Sequence, residues 1–529
     1  MRGVFAAARG SVAAALLFCC VMETTSQATA GEVSGRVEYV DRTFDLSGYT
    51  GTQIRPVRYA HVYLYDESLV VEIGGGVTDD TGAYLFGIPE SSTRTVRLVV
   101  SAETDSPWGS LVVKNTFSKN IHSLASDPAS ADALGNFTIE MEIPVTQGNN
   151  RLGDPFNIID VVSDAQKAVY DEEGEKVPLC IIYWADGSSD GTYYSAGTLH
   201  LVGGFRGDPN AGDNDGYDDS IIVHEYGHFL AERYSRDNTP GGAHSMKAYY
   251  VPTLTWSEGW ANFWSSAVRK SPVYWDATSG DRGFSADFET GEPDTSVRIG
   301  MNNESAVAMV LYDIFDTALI HDGTVGEDDD PLGLGLKPIW QVFSGPMNNP
   351  ELSSTLLDFY QGWRGLYPKL DVDSIFRERR IEFMEAAGRR FYLEYPLNTQ
   401  IPAKPSGPIE EVLAIPVKDG ETIRELAVFV AIEHPQPSQL TVTLKHPDGT
   451  TVLLYAMTAK SGADLIEWFG LANYRGPAEP LSLFSGKPVG GTWYLQADNG
   501  SFYQTGSIKS WGLRIETEAT GTGPILMLY

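Results

Sequence analysis

Residues 218–235 read DDSIIVHEYGHFLAERYS. Ile221, Ile222, Val223, Tyr226, Phe229 and Leu230 recur at helical spacing. Asp218 and Asp219 suit the helix N-terminus, and the breaker run NTPGG at 238–242 ends it. In that helix His224 and His228 stand four residues apart on one face, with Cβ atoms about 5–6 Å from each other. Two imidazoles so placed can converge on one zinc ion at about 2.0–2.1 Å each. Glu225 is turned about a quarter circle away, so it can reach a water on the ion without binding the ion. So much apolar surface places the helix in the middle of a domain, where a polar cluster needs a partner. Gly227 costs a helix interior up to about 1 kcal/mol against alanine, which predicts a close approach by a second backbone.

Two histidines and a water leave one ligand to find. An extended pattern with Gly at 231 and His at 234 is excluded, because the chain has Ala231 and Tyr234. A glutamate from a second helix is the other route, and LTWSEGWANFW offers Glu258. Thr255-x-x-Glu258 also reads as a capping box, which would occupy that carboxylate with backbone amides. His244, in a Gly-rich loop, is the rival ligand. Glu258 is preferred, since a helix holds a ligand more rigidly than a loop does. Gly259 would let its helix sit close to the metal.

The surroundings of this segment divide into regions. At 529 residues the chain is too long for one core. Arg2, Arg9 and VAAALLFCCV followed by ATA read as an export signal over 1–30, and the apolar run falls short of the roughly 20 residues of an anchor. Cys180 is then the one cysteine of the mature chain, a buried strand residue. Residues 31–146 alternate as short strands and predict an antiparallel β-sandwich. Residues 147–395 mix strands with helices and read as α+β. After a Pro-rich linker, residues 405–517 return to strands. With 38 basic against 70 acidic residues, the net charge of −32 argues against nucleic acid or an anionic membrane as partner.

The motifs carry three resemblances. GGGVTDDTGAYLFGIP resembles transthyretin-like modules of carboxypeptidase-associated proteins, which implies a spacer or binding sandwich. VHEYGH followed by WSEGWANFW resembles the gluzincins, the thermolysin-like clan of zinc metallopeptidases. That resemblance implies that His224, His228 and Glu258 bind Zn²⁺, with Glu225 as general base, and that the partner is a protein or peptide substrate. Thermolysin-type enzymes carry an aspartate four residues after the third ligand, where this chain has Asn262; its amide oxygen can still accept from a ligating imidazole. No histidine matches the clan's transition-state position; Asn302 and Asn303 lie near where it belongs, and Tyr249, Tyr250 and Tyr312 are alternative oxyanion donors. The strand GTLHLVGG would present an exposed edge to substrate backbone. Third, residues 405–517 resemble the P domain of proprotein convertases through AIEHPQPSQLTVTLKHPDGTTVLL, GGTWYLQADN and GSIKSWGLRIE, with Gln439 in place of the usual aspartate. This implies a jelly-roll-like β-sandwich. The acidic loop with Asp208, Asp213 and Asp215 could hold Ca²⁺.

The expected protein is a secreted three-domain zinc metallopeptidase without a transmembrane segment. Two alternatives stay open: a non-catalytic cell-surface binding protein with a structural zinc, and a zinc hydrolase of a non-peptide bond. The sequence carries no signal for the oligomeric state.

Overall fold

The computed structural model describes residues 31–517 apart from 68–70, 89–94, 133–134, 249, 280–281, 291–299, 317–331, 351–353, 380, 382–388, 395–396, 418–419, 458–463 and 471–474. The expected export signal and Tyr249 lie outside the described residues. The described chain is β-rich and multidomain, with seven α-helices among the described residues.

The N-terminal region builds two sheets. In the first, Gly31–Asp45 pairs antiparallel with Gly48–Pro56 and Ala83–Ile88, and parallel with Phe137–Thr138 and Met141–Ile143. The second runs, in order, Tyr193–Ser195, Thr198–Leu201, Val177–Trp184, Gly109–Asn115, Thr95–Asp105, Ala60–Asp66 and Val71–Val77. This sheet crosses residue 146, where composition alone places a boundary. The cause is a parallel crossover: the chain leaves Gly109–Asn115, passes through helix α1 (Asp154–Glu173), and returns as Val177–Trp184 in parallel register. One apolar core correspondingly runs from Val33 to Ile381.

Thr198–Leu201 is flanked on both sides, by Val177–Trp184 and by Tyr193–Ser195. The free edge expected on GTLHLVGG therefore belongs to the three-residue strand Tyr193–Ser195. His200 is stacked between Tyr183 and Tyr193, a packing role.

The C-terminal region is a sandwich of two antiparallel sheets around its own core. It begins before position 405: Arg389–Glu394 and Thr399–Ile401, in and next to the expected linker, both pair with Gly506–Thr517. The outer face of its strand Ile423–Glu433 is also covered. Ala427, Phe429 and Ala431, with Trp468, pack on Val251 and Leu254 at the start of a central helix. Trp468 is 5% exposed, and its indole N–H donates to Asn302 Oδ1 at 3.0 Å.

That contact generates a test. Trp468→Ala removes the largest apolar group of the junction and leaves a buried amide oxygen short of its donor. It should cost about 3–5 kcal/mol and lower Tm in calorimetry. Val417→Ala, at a 73% exposed position, should leave Tm unchanged. Equal melting of both variants would mean that the sandwich adds nothing through this face.

Candidate metal centre

Three helices build the site: α2 (Asp219–Tyr234), α3 (Pro252–Arg269) and α4 (Glu304–Phe315). All are buried over most of their length, as the apolar run in α2 requires. The side chains of Asp218 and Asp219 do not cap α2. Tertiary partners claim them instead: Asp218 accepts from the Tyr49 hydroxyl and from the Ala277 amide at 2.5 Å, and Asp219 accepts from Asn157 at 2.9 Å. At Gly227 a Cβ would stand 3.0 Å from the Ala261 Cα, so α2 and α3 touch at backbone distance there. At Gly259 a Cβ would meet the Val307 Cβ at 2.5 Å. The approach that Gly259 permits is thus to α4, and not to the metal position expected from the sequence.

The donor atoms form a nearly equilateral triangle. His224 Nε2 and His228 Nε2 are 3.2 Å apart, and each is 3.2 Å from Glu258 Oε2. A tetrahedral ion with donors about 2.0–2.1 Å away separates them by about 3.3–3.4 Å. Glu258 Oε2 is buried with imidazole nitrogens on three sides and no well-aligned hydrogen bond. Two imidazoles and a carboxylate are a donor set that suits zinc.

Outer partners orient each ring. Asn262 Oδ1 accepts from His224 Nδ1 at 2.9 Å, which leaves Nε2 free to ligate. His228 Nδ1 lies 3.3 Å from Ser257 Oγ, which donates to Asp237 Oδ2 at 2.8 Å. The capping box read at Thr255 does not form. Helix α3 already begins at Pro252, so Thr255 lies inside it and its hydroxyl donates to Met301 O at 2.7 Å. The Glu258 carboxylate is left to the site.

His244 is part of the same assembly in a different place. Its Nε2 is 3.3 Å from Glu258 Oε2, and its Nδ1 donates to Glu304 Oε2 at 2.9 Å. It does not join the donors that lie within 4.8 Å of one another, a set made of His224, His228 and Glu258. The loop carrying it is gripped by consecutive residues before and in α4: Asn302 donates to Tyr250 O at 2.9 Å, Asn303 donates to Met246 O at 2.9 Å, and Glu304 takes His244.

These groups open on a cavity of about 380 Å³ lined by His224, Glu225, His244, Asn262, Tyr274 and Glu304, among others. Glu225 is buried there with Oε2 free of any hydrogen bond. Tyr250 and Tyr312 do not line it; the Tyr312 hydroxyl is buried in the core instead. Of the acidic loop, Asp213 and Asp215 reach the cavity, whereas Asp208 is exposed and bonds Asn210 N at 2.9 Å within its own loop. Sequence reasoning missed Tyr274 and Glu304. For Glu304 a signal existed: it is an acid that opens a helix whose next eight residues, up to Tyr312, carry no charge.

Electrostatics follow from burial. Desolvation, partly offset by His224 and His228, raises the Glu225 pKa. On Glu258 burial also opposes the charge, but His228, His224 and His244 override it and hold the carboxyl well below its usual range. Burial disfavours charge on His228, yet Glu258 pushes it up to about 10. For His244, burial is outweighed by Glu304 and then Glu258, giving about 9.

Comparison with known proteins adds domain-level likeness. Residues 165–369 match the Mycolysin C-terminal domain, and residues 423–515 match the proprotein convertase P-domain. These matches point to a protease-associated protein. No curated protein matches the chain. The solved serine protease of Aeromonas sobria aligns at 12% identity and TM-score 0.19, over 46% of this chain and 45% of that one. Its complex with the chaperone aligns at 16% identity and TM-score 0.19, over 32% of each chain. The chain thus spans less than half of these structures, and scores this low establish no shared fold. No helix among the described residues is long and apolar enough to cross a membrane.

Without metal, His228 and His244 are protonated at neutral pH. Their folded-state values lie above the unfolded one, so the stability they contribute is present below about pH 6.5 and lost as pH rises through about 9 to 10. A ligating imidazole must be neutral, so zinc must displace the His228 proton. Apparent zinc affinity, measured against a competing chelator, should rise about tenfold per pH unit from pH 7 to 9. A flat profile would place the metal elsewhere.

Proposed function

We propose that this chain is a secreted zinc metallopeptidase of gluzincin type that hydrolyses peptide bonds in a protein or peptide substrate. The observation that carries the reading is the 3.2 Å triangle of His224, His228 and Glu258 beside a buried carboxylate, Glu225, with one oxygen free. The 1–30 pattern supports export, and the two domain matches support a peptidase context.

Bound at the triangle, zinc would polarise the scissile carbonyl and acidify a water. Glu225 takes the proton of the attacking water and returns it to the leaving amine, a task that its raised pKa suits. Asn262 and the Ser257–Asp237 pair keep the two rings in the ligating tautomer. His244, charged and fixed by Glu304, donates toward the negative charge that develops on the carbonyl oxygen. A structural zinc takes four protein donors, and three converge among the described residues. That count favours catalysis over a structural role.

Glu225→Gln keeps the size of the side chain and loses the base. It should bind zinc as the parent does, melt at the same temperature, and lose about 10²–10⁴-fold in kcat on a peptide library. Glu258→Ala should lose zinc. His244→Ala should keep zinc and lose turnover. An active parent with a near-fully active Glu225→Gln variant would refute the mechanism. Zinc loss in His244→Ala with zinc retained in Glu258→Ala would move the third ligand to the loop.

A further inference from the structure

One wall of the same cavity is acidic. Asp213 and Asp215 come from the loop before α2, and Asp276 comes from the strand Val273–Ser279. One carboxylate oxygen from each lies within 4.8 Å of the other two. Oxygens bound to a single calcium at about 2.3–2.6 Å stand no more than about 5 Å apart, so one ion can touch all three.

The second observation concerns Asp215. It is 2% exposed. One of its oxygens accepts from the Thr192 hydroxyl, and the other, Oδ1, is buried with no hydrogen bond at all. Burial and then Asp218, Asp276 and Asp213 raise its pKa well above the usual range. The nearby Asp218 shows the contrast, since both of its oxygens are taken, by Tyr49 and by the Ala277 amide. A buried carboxylate oxygen left bare beside two further carboxylates calls for a cation.

We propose that Asp213, Asp215 and Asp276 form a second cation site, which takes a hard divalent ion of the calcium type. An all-carboxylate donor set selects hard cations over zinc. A substrate ammonium could also meet three oxygens, but it brings one charge to three carboxylates where calcium brings two. Asp213 is exposed, which gives the ion an entry from solvent and leaves room for water ligands. The ion joins the loop that leads into α2 to the strand that packs on α2. On that strand Tyr274, two residues before Asp276, meets the His224 ring edge-on with centroids 6.2 Å apart. Calcium would thus hold the zinc helix and its covering strand together.

The test is calorimetric titration of calcium chloride into the full-length, zinc-loaded protein, with zinc content and peptidase activity measured separately. One calcium should bind and raise Tm. Asp215→Asn and Asp276→Asn should each weaken calcium at least about tenfold and leave zinc content unchanged. Asp208→Asn should bind calcium as the parent does. If Asp215→Asn fails to fold, the half-buried Asp276→Asn decides. Absence of calcium binding, or equal affinity in the parent and Asp276→Asn, overturns the proposal. Loss in Asp276→Asn of a kcat/KM preference for Lys and Arg peptides, with no calcium bound, would assign the wall to a cationic substrate side chain instead. Neither result depends on zinc: a chain that binds calcium here but shows no peptidase activity would refute the proposed function and leave this site standing.

Discussion

The structure is organised around one buried carboxylate. Glu258 sits among His224, His228 and His244 in the interior of a helical layer, where an uncompensated charge would cost several kcal/mol. The carboxylate and its compensating rings come from three separate segments, and each must be held. Helix α2 brings two imidazoles, α3 brings the carboxylate, and the 236–250 loop brings the third ring. Every neighbouring feature serves that convergence. Gly227 lets α2 and α3 meet at backbone distance, and Gly259 lets α4 close on α3. The amide of Asn262 and the hydroxyl of Ser257 spend their hydrogen bonds on ring orientation.

The same constraint explains why the outlying regions are attached as they are. The loop with His244 has little secondary structure of its own, so Asn302, Asn303 and Glu304 grip it by side-chain hydrogen bonds. Asn302 is in turn held by Trp468 of the C-terminal sandwich. Hydrogen bonds thus run from the outer face of that sandwich, through Asn302, to the loop that carries His244. On the other side, the N-terminal sheet extends into the strands beside α1 and α2, and Tyr49 and Tyr39 reach Asp218, Asn157 and Asp160. The N-terminal sheets and the C-terminal sandwich are continuous with the site's support and are not appendages to it.

Acidity is the other theme. The chain carries −32 in formal charge, and part of it is concentrated next to the donor triangle. Where carboxylates find donors, as Asp218 and Asp219 do, they knit segments together. Where they do not, as at Asp215, the interior holds a bare oxygen, and it is there that the second cation is proposed.

What the sequence determined by itself was local. The period of residues 221–230 gave helix α2, the i,i+4 rule put two imidazoles on one face, and alternating apolar residues gave strands at both ends of the chain, though not their pairing. The sequence also pointed to Glu258, because a second apolar helix with one acid follows a breaker. Tertiary structure alone decided the rest, since lateral pairing and side-chain competition leave no periodic trace. Val177–Trp184 joins the N-terminal sheet through backbone hydrogen bonds that any strand could make. Asp218 has the right chemistry for a cap, but Tyr49 and Ala277 claim it. Thr255-x-x-Glu258 has the pattern of a capping box, but Pro252 starts the helix earlier and moves both residues into its interior. Asp276 and Glu304 lie far along the chain from the histidines, and nothing in their neighbours shows that folding carries them to the same cavity.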